Sequence, residues 1–208
     1  GDFPPVQHTV PMLSLDNSYN EDDLNDFDAA VKKLCNLPSD VDIEYCVEPK
    51  FDGGSIALVY ENDVLIRAAT RGNGTMGEEM TPNARTLPSI PLKADFASFG
   101  IVKAELRGEA LIRKDNFEKI NKEREKEGLT LFANPRNAAT GGLRTKDANE
   151  TRKRGLEAFV YQLAYAVDNA GNSVLPTMKT HIQGIEMLGK LGFKIPKDEK
   201  TVCKNIGI

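Results

Sequence analysis

Apolar residues recur at helical spacing over residues 21–36, where Leu24, Phe27, Val31 and Leu34 form one stripe. Glu21, Asp22 and Asp23 precede that stripe and suit the electropositive start of a helix. The period then shortens to two, which predicts strands over 43–48, 54–60 and 64–70, the last two joined by a hairpin turn at Glu61-Asn62-Asp63. A long strand is expected over 101–112, with Ala104, Leu106 and Gly108 on one face and Glu105, Arg107 and Glu109 on the other. Charged, helix-favouring residues over 115–127 end at Gly128, and Ala138 with Ala139 suggests a short helix over 135–143. A hairpin of 156–167 with 173–176 is predicted around Asp168-Asn169-Ala170-Gly171-Asn172, followed by a helix over 178–191 carrying Ile182, Ile185, Leu188 and Leu191. Hairpin strands mixed with separate helices indicate an α+β fold of antiparallel sheets with flanking helices, not a βαβ series.

Composition narrows this picture only modestly. The 208 residues are 40% hydrophobic and 28% charged, ordinary for a globular protein able to bury a core. No apolar run approaches the roughly 18 residues of a membrane helix. Cys35, Cys46 and Cys203 are odd in number and lack C-x-x-C spacing, which argues for a reducing compartment and against a zinc site. With only His8 and His181 as histidines, no zinc site is expected from that side either, and His8 reads as a packing or hydrogen-bonding residue. The net charge of −4 is unevenly placed, with acids between Asp16 and Asp28 and bases at Arg144, Lys146, Arg152, Lys153 and Arg154. Such a local positive surface can hold phosphates on an acidic domain.

The strongest candidate chemistry lies in Glu48-Pro49-Lys50-Phe51-Asp52-Gly53-Gly54. Lys50 follows a predicted strand and precedes paired glycines, a position that presents an amine to a phosphate. An amine attacks phosphorus only when neutral, and an ordinary lysine titrates near about 10.4, so neighbouring cations, burial or both are required. Asp52 can orient that amine or help hold a divalent cation, or simply cap the turn. Gly53 and Gly54 let the backbone turn sharply and approach a ligand closely.

These residues resemble the K-x-D-G motif of the nucleotidyltransferase superfamily of DNA ligases, RNA ligases and mRNA capping enzymes. Four further segments are similar, in order, to the adenylation domain of the NAD-dependent DNA ligases of bacteria: His8–Asn17, Ala69–Gly74 with Gly77-Glu78, Glu105–Glu109, and Phe132–Ala139 running to Arg144. The resemblance implies an ATP-grasp-like nucleotidyltransferase domain of two antiparallel sheets around a nucleotide cleft. It implies NAD as AMP donor, Mg2+ or Mn2+ held mainly through phosphates with Asp52 or Glu109 as protein ligands, and nicked double-stranded DNA as partner. Lys50 is then the nucleophile. Ser14 and Leu15 border the adenine, Glu48 accepts from its amino group, Arg71 braces ribose or phosphate, Glu109 contacts the ribose, and Arg136 and Arg144 meet DNA phosphates. Glu105 and Arg107 share the face of Glu109, where an ion pair between them is the alternative to a ligand role.

The family pattern continues into a D-G-V-V-I-K-type segment and a later lysine, neither of which this chain contains. The expectation is therefore one adenylation-domain fragment over 1–208, with 1–40 a leading segment and helix and 41–208 a core lacking its C-terminal motifs. Zinc belongs to the family's other modules. A cytoplasmic monomer that adenylates itself poorly alone and seals no nicks is expected. The rival readings are an ATP-dependent or capping-type nucleotidyltransferase and a nucleotide- or DNA-binding module with a decayed active site.

Overall fold

The computed structural model describes residues 3–197 and 199–207. In chain order the elements are β1 (Pro5–Gln7), α1 (Glu21–Leu34), β2 (Tyr45–Val47), β3 (Gly54–Glu61), β4 (Val64–Thr70), β5 (Met76–Glu78) and α2 (Thr81–Ala84). They continue with β6 (Lys103–Ile112), α3 (Lys114–Lys126), α4 (Pro135–Leu143), α5 (Ala148–Lys153), β7 (Leu156–Val167), α6 (His181–Lys190) and β8 (Thr201–Cys203). Every strand pairing is antiparallel, so the α+β expectation holds. No helix is long and apolar enough to cross a membrane among the described residues.

The chain forms two compact units. The first comprises the residues up to Met12 together with Lys50–Ile195; the second comprises Leu13–Pro49 and the residues from Pro196.

The first unit is built on a four-stranded sheet in the order β4-β3-β6-β7, with β1 and β5 paired separately. The β3–β4 turn places Asn62 and Asp63 at positive φ of 48° and 67°, which matches the hairpin expected there. Alternation divides the sheet cleanly. Ile56, Leu58 and Tyr60 on β3 stand beside Gly108, Leu106 and Ala104 on β6, and this face packs on Ala138, Ala139 and Leu143 of α4 and Ile185 and Leu188 of α6. The opposite face carries Ser55, Ala57 and Val59 beside Glu109, Arg107 and Glu105. That second face is buried as well, although it holds three charges.

Two of those charges neutralise each other. Arg107, 3% exposed, is hydrogen-bonded to the fully buried Glu105 and donates to the carbonyl of Val10. Glu105 also accepts from the Thr9 amide at 3.1 Å. Burial opposes ionisation of Glu105, but Thr9 and the Arg107 guanidinium outweigh it and hold the carboxyl below its ordinary range. The ion pair foreseen as an alternative is thus the observed role. It tethers the leading segment, whose His8 Nε2 lies 3.1 Å from the carbonyl of Arg71 and whose Met12 amide donates to the Gly74 carbonyl at 2.7 Å.

Two expectations in this unit fail. The stretch 173–176 is not a strand: a single bridge joins Val167 to Ser173, and Pro176 then sits within a 3-10 turn, Leu175–Thr177, because proline offers no ladder donor. Arg154 does not join a positive surface. It turns inward, donates to the Ala138 carbonyl at 3.0 Å and lies over the Phe132 ring, which Arg124 covers as well.

The second unit holds α1 and the β2–β8 pair. Asn20 caps α1 by accepting from the Asp23 amide, as an N-cap asparagine should. The apolar stripe foreseen on α1 is not its buried face: Leu24, Phe27 and Leu34 are 42%, 50% and 83% exposed, whereas Asp28 is buried. Asp28 takes a 2.7 Å hydrogen bond from the Tyr45 hydroxyl and a 2.7 Å ion pair from Lys32. Burial, then the Asp28 carboxylate, push the Tyr45 phenol up to about 12. A raised phenol stabilises the fold below its ordinary value near 10, and that contribution disappears as pH rises through about 12. An NMR titration of the Tyr45 ring should therefore find it un-ionised at pH 11; ionisation near 10 would contradict the packing.

Candidate functional site

The segment ahead of β3 is held by one ring contact. Phe51 packs on Phe159 with centroids 5.0 Å apart, and Phe159 pairs with Glu109 across β6 and β7. Gly53 is required here because a Cβ on it would lie 2.1 Å from the carbonyl oxygen of Ala110. That close approach lets the Gly53 amide donate to Glu109 Oε1 at 3.1 Å, while Ser55 Oγ donates to Oε2 at 2.8 Å. Gly53 thus addresses Glu109, and no bond from Asp52 caps the turn among the described residues.

Glu109 is the electrostatic centre of the face. It is 7% exposed, and burial pushes its carboxyl above the usual range, with the bonds from Ser55 and Gly53 and the charges of Lys50 and Arg136 pulling the other way. Lys50 and Arg136 therefore both stand within electrostatic reach of this carboxylate. The Lys50 side chain is exposed. Asp52 is also exposed and lies 3.5 Å from Arg136.

Arg71 follows the last residue of β4, as expected from its place before Gly72-Asn73-Gly74. Gly72 has φ +57°, and a Cβ there would fall 1.9 Å from the Met76 carbonyl oxygen, so only glycine fits this turn. The turn is closed by the Gly74 amide on the Arg71 carbonyl and by the Asn73 side chain accepting from Thr75 and Met76.

Tyr161 is a residue the sequence reading missed. The β6–β7 ladder skips it, pairing Gly108 with Val160 and Arg107 with Gln162, so it is the extra residue of a bulge. Its phenol is pushed up first by burial and then by Glu109, with Arg107 and Arg71 acting in the opposite sense. The half-buried ring therefore joins Arg71 to the Glu109 neighbourhood. The sequence does not mark it: the buried positions run Leu156, Ala158, Val160, then Leu163 and Ala166, but Phe159, Ala164 and Tyr165 among them are apolar or aromatic as well, so the slip in spacing from two to three is hidden.

Beside this face lies a cleft of about 700 Å³ lined by Gly53, Ser55, Arg71, Gly72, Glu78, Arg136, Thr140 and Arg144. Asn134 caps α4 by accepting from the Asn137 amide, Pro135 takes the first turn, and Arg136 and Arg144 stand at opposite ends of the helix. Three guanidinium groups against one lining carboxylate make the cleft suited to an anion. No group of three or more His, Cys, Asp or Glu side chains gathers to hold a metal ion among the described residues.

Lys50, Asp52, Arg71, Glu109, Arg136 and Arg144 thus fall within one unit and around one face and cleft. Ser14, Leu15 and Glu48 belong to the second unit, where Ser14 and Leu15 are exposed and Glu48, just past β2, is half-buried.

The first unit is thus an α+β scaffold that presents an exposed lysine, a buried carboxylate and three arginines beside an anion-sized cleft. A family model described as the NAD-dependent DNA ligase adenylation domain matches residues 1–207, and the chain belongs to this family. It is 55% identical over 204 residues to a DNA ligase of Sulfurihydrogenibium azorense, 53% over 206 to one of Persephonella marina and 52% over 206 to one of Aquifex aeolicus. These matches cover 98%, 99% and 99% of this chain but only 29%, 28% and 28% of those proteins, so the chain spans less than a third of the relatives it resembles.

Proposed function

We propose that the chain is the adenylating part of an NAD-dependent DNA ligase, with a nucleotidyltransferase architecture. The carrying observation is that Lys50 and Arg136 both act on the buried Glu109 carboxylate, within a chain of this family. The neutral Lys50 amine attacks the α-phosphorus of NAD. A nitrogen–phosphorus bond forms, the phosphoanhydride bond breaks with its electron pair leaving on nicotinamide mononucleotide, and the amine proton passes to solvent. The 5′-phosphate at a DNA nick then attacks the same phosphorus, a new phosphoanhydride bond forms, and the nitrogen–phosphorus bond breaks with its electron pair returning to Lys50, which regains its proton from solvent. The 3′-hydroxyl finally displaces AMP and closes the strand. All three steps are phosphoryl transfers, in which positioning and charge neutralisation supply most of the rate.

Within this scheme Glu109 accepts from the ribose, Arg71 braces ribose or phosphate, and Arg136 and Arg144 meet DNA phosphates. The adenine roles of Ser14, Leu15 and Glu48 rest on the family alone. Asp52 suits a divalent cation because it is exposed and only loosely engaged by Arg136; Glu109 suits one less, since Gly53 and Ser55 already occupy both its oxygens. A bound Mg2+ or Mn2+ would neutralise phosphate charge. An NAD-dependent ligase and an ATP-dependent one separate in a single assay. A chimera in which this chain replaces the matching segment of the Aquifex aeolicus DNA ligase should seal a nicked duplex with NAD and not with ATP. Sealing with ATP would sink the reading.

Glu109→Gln offers a second check on the same site. Removing the charged acceptor is expected to slow adenylation about 100- to 1,000-fold. Because the folded carboxyl is raised, the wild type loses the associated stability as pH climbs through that raised value, whereas glutamine does not. Thermal melts should accordingly show the variant gaining on the wild type as pH rises through the range in which the buried Glu109 ionises. A variant that instead falls behind over that range would show that Glu109 is stabilised as the anion.

A further inference from the structure

The cleft is lined by one carboxylate, Glu78, for which the scheme above has no use. Glu78 Oε2 accepts from Arg144 Nε at 2.7 Å and Oε1 accepts from Nη2 at 2.9 Å, a bidentate grip on the side-on edge of the guanidinium. That grip engages two of the five N–H donors of an arginine. The end-on edge, Nη1 with the remaining Nη2 hydrogen, has no protein partner among the described residues, and the side chain is 52% exposed.

Both ends of the pair are anchored. Asn83, 2% exposed, donates to the carbonyls of Leu143 and Thr145 at 2.7 and 2.8 Å, so the backbone is held on either side of Arg144. The Glu78 amide donates to Thr70 Oγ1 at 3.0 Å, and Glu78 pairs with Pro5 in the β1–β5 ladder. The other pair beside the cleft, Arg136 with Asp52, is a single 3.5 Å contact between exposed groups. An arginine held in place beforehand loses less rotamer freedom when it takes a ligand.

We infer that Glu78 is a positioning residue, gripping the side-on edge of Arg144 so that its end-on edge faces the cleft and a phosphate oxygen of DNA. This rests on the proposed contact of Arg144 with DNA. The sign of one substitution separates positioning from plain charge. If Glu78 merely subtracted positive potential, neutralising it would tighten phosphate binding. If it positions Arg144, neutralising it weakens binding.

The test is fluorescence anisotropy of a labelled nicked duplex with a 5′-phosphate, titrated with the 208-residue chain at low, fixed salt. Glu78→Gln should weaken binding roughly three- to tenfold and add nothing once Arg144→Ala is present. Tighter binding by Glu78→Gln, or a loss that persists beside Arg144→Ala, overturns the inference. Arg144→Ala itself must weaken binding. If it does not, or if the unsubstituted chain does not bind, the assignment of Arg144 to DNA falls and the inference falls with it. An Arg144-dependent affinity that ignores Glu78→Gln removes the inference alone. A measurement on the unsubstituted chain needs no variant to fold: the Arg144 Nε–H resonance should report hindered rotation both free and when saturated with duplex, and loss of that hindrance on DNA binding would mean that Glu78 is displaced.

Discussion

Lys50→Ala in the ligase chimera is expected to reduce adenylyl transfer from NAD by at least roughly 10,000-fold, because no other group can form the bond to phosphorus. Lys50→Arg should be equally inactive, since a guanidinium stays protonated and has no lone pair to donate. Stability should hardly move. The Lys50 side chain is exposed and makes no close ion pair among the described residues, so the substitution should shift stability within about 0.5 kcal/mol. Loss of transfer without loss of fold is the decisive combination. An alanine variant that still acquires AMP at more than a trace would remove Lys50 from the chemistry and leave it a turn residue.

The largest effect on stability is expected at Arg107, a residue that touches no substrate in the proposed scheme. Arg107→Ala strands the carboxylate of Glu105 in a fully buried position and deletes the bond to the Val10 carbonyl. Breaking a buried pair by removing one partner costs about 3–5 kcal/mol, a large fraction of a typical folding free energy. For a chain of this size that corresponds to a fall in melting temperature on the order of 10 °C. Glu105→Gln added to Arg107→Ala should recover part of it, because the second change removes the stranded charge. Glu105 is held below its ordinary range, so the stability it contributes is present above that range and is lost as pH falls through its folded value. Acid should therefore narrow the gap between wild type and Arg107→Ala. The damage should also spread to the cleft, since the same leading segment carries His8 and Met12 onto the Arg71 turn. A melting temperature unchanged by Arg107→Ala would show that the tether is dispensable.

Elements with strong local signals were legible in the chain. The β3–β4 hairpin follows from two runs around residues that tolerate positive φ, and β6 from the alternation of charged with small or apolar residues over 103–110. The α4 helix was expected from its paired alanines, and the structure adds the asparagine cap and the proline in its first turn. The elements that escaped notice are short: β1, β5 and β8 have three residues each, α2 four and α5 six, too few for a period to register. The α1 stripe misled because hydrophobicity alone ranks Leu24 and Phe27 above Asp28, whereas Asp28 gains the Tyr45 hydroxyl and Lys32 on the buried side. Among the candidate residues, Lys50, Arg71, Glu109, Arg136 and Arg144 were reachable through motif and position. Glu78 lay in a motif segment but without a role, and Tyr161 went unmarked, because their significance comes from a bidentate partner 66 positions away and from a bulge between strands. Pairings between distant segments leave little local trace.

The most direct test of the central claim is intact-mass analysis of the chimera after incubation with NAD and a divalent cation, followed by peptide mapping. The expected result is a single adenylyl group on Lys50, released by mild acid as a phosphoramidate should be, with one nicotinamide mononucleotide liberated per protein. An unmodified protein, or an adenylyl group carried by any other residue, would contradict it.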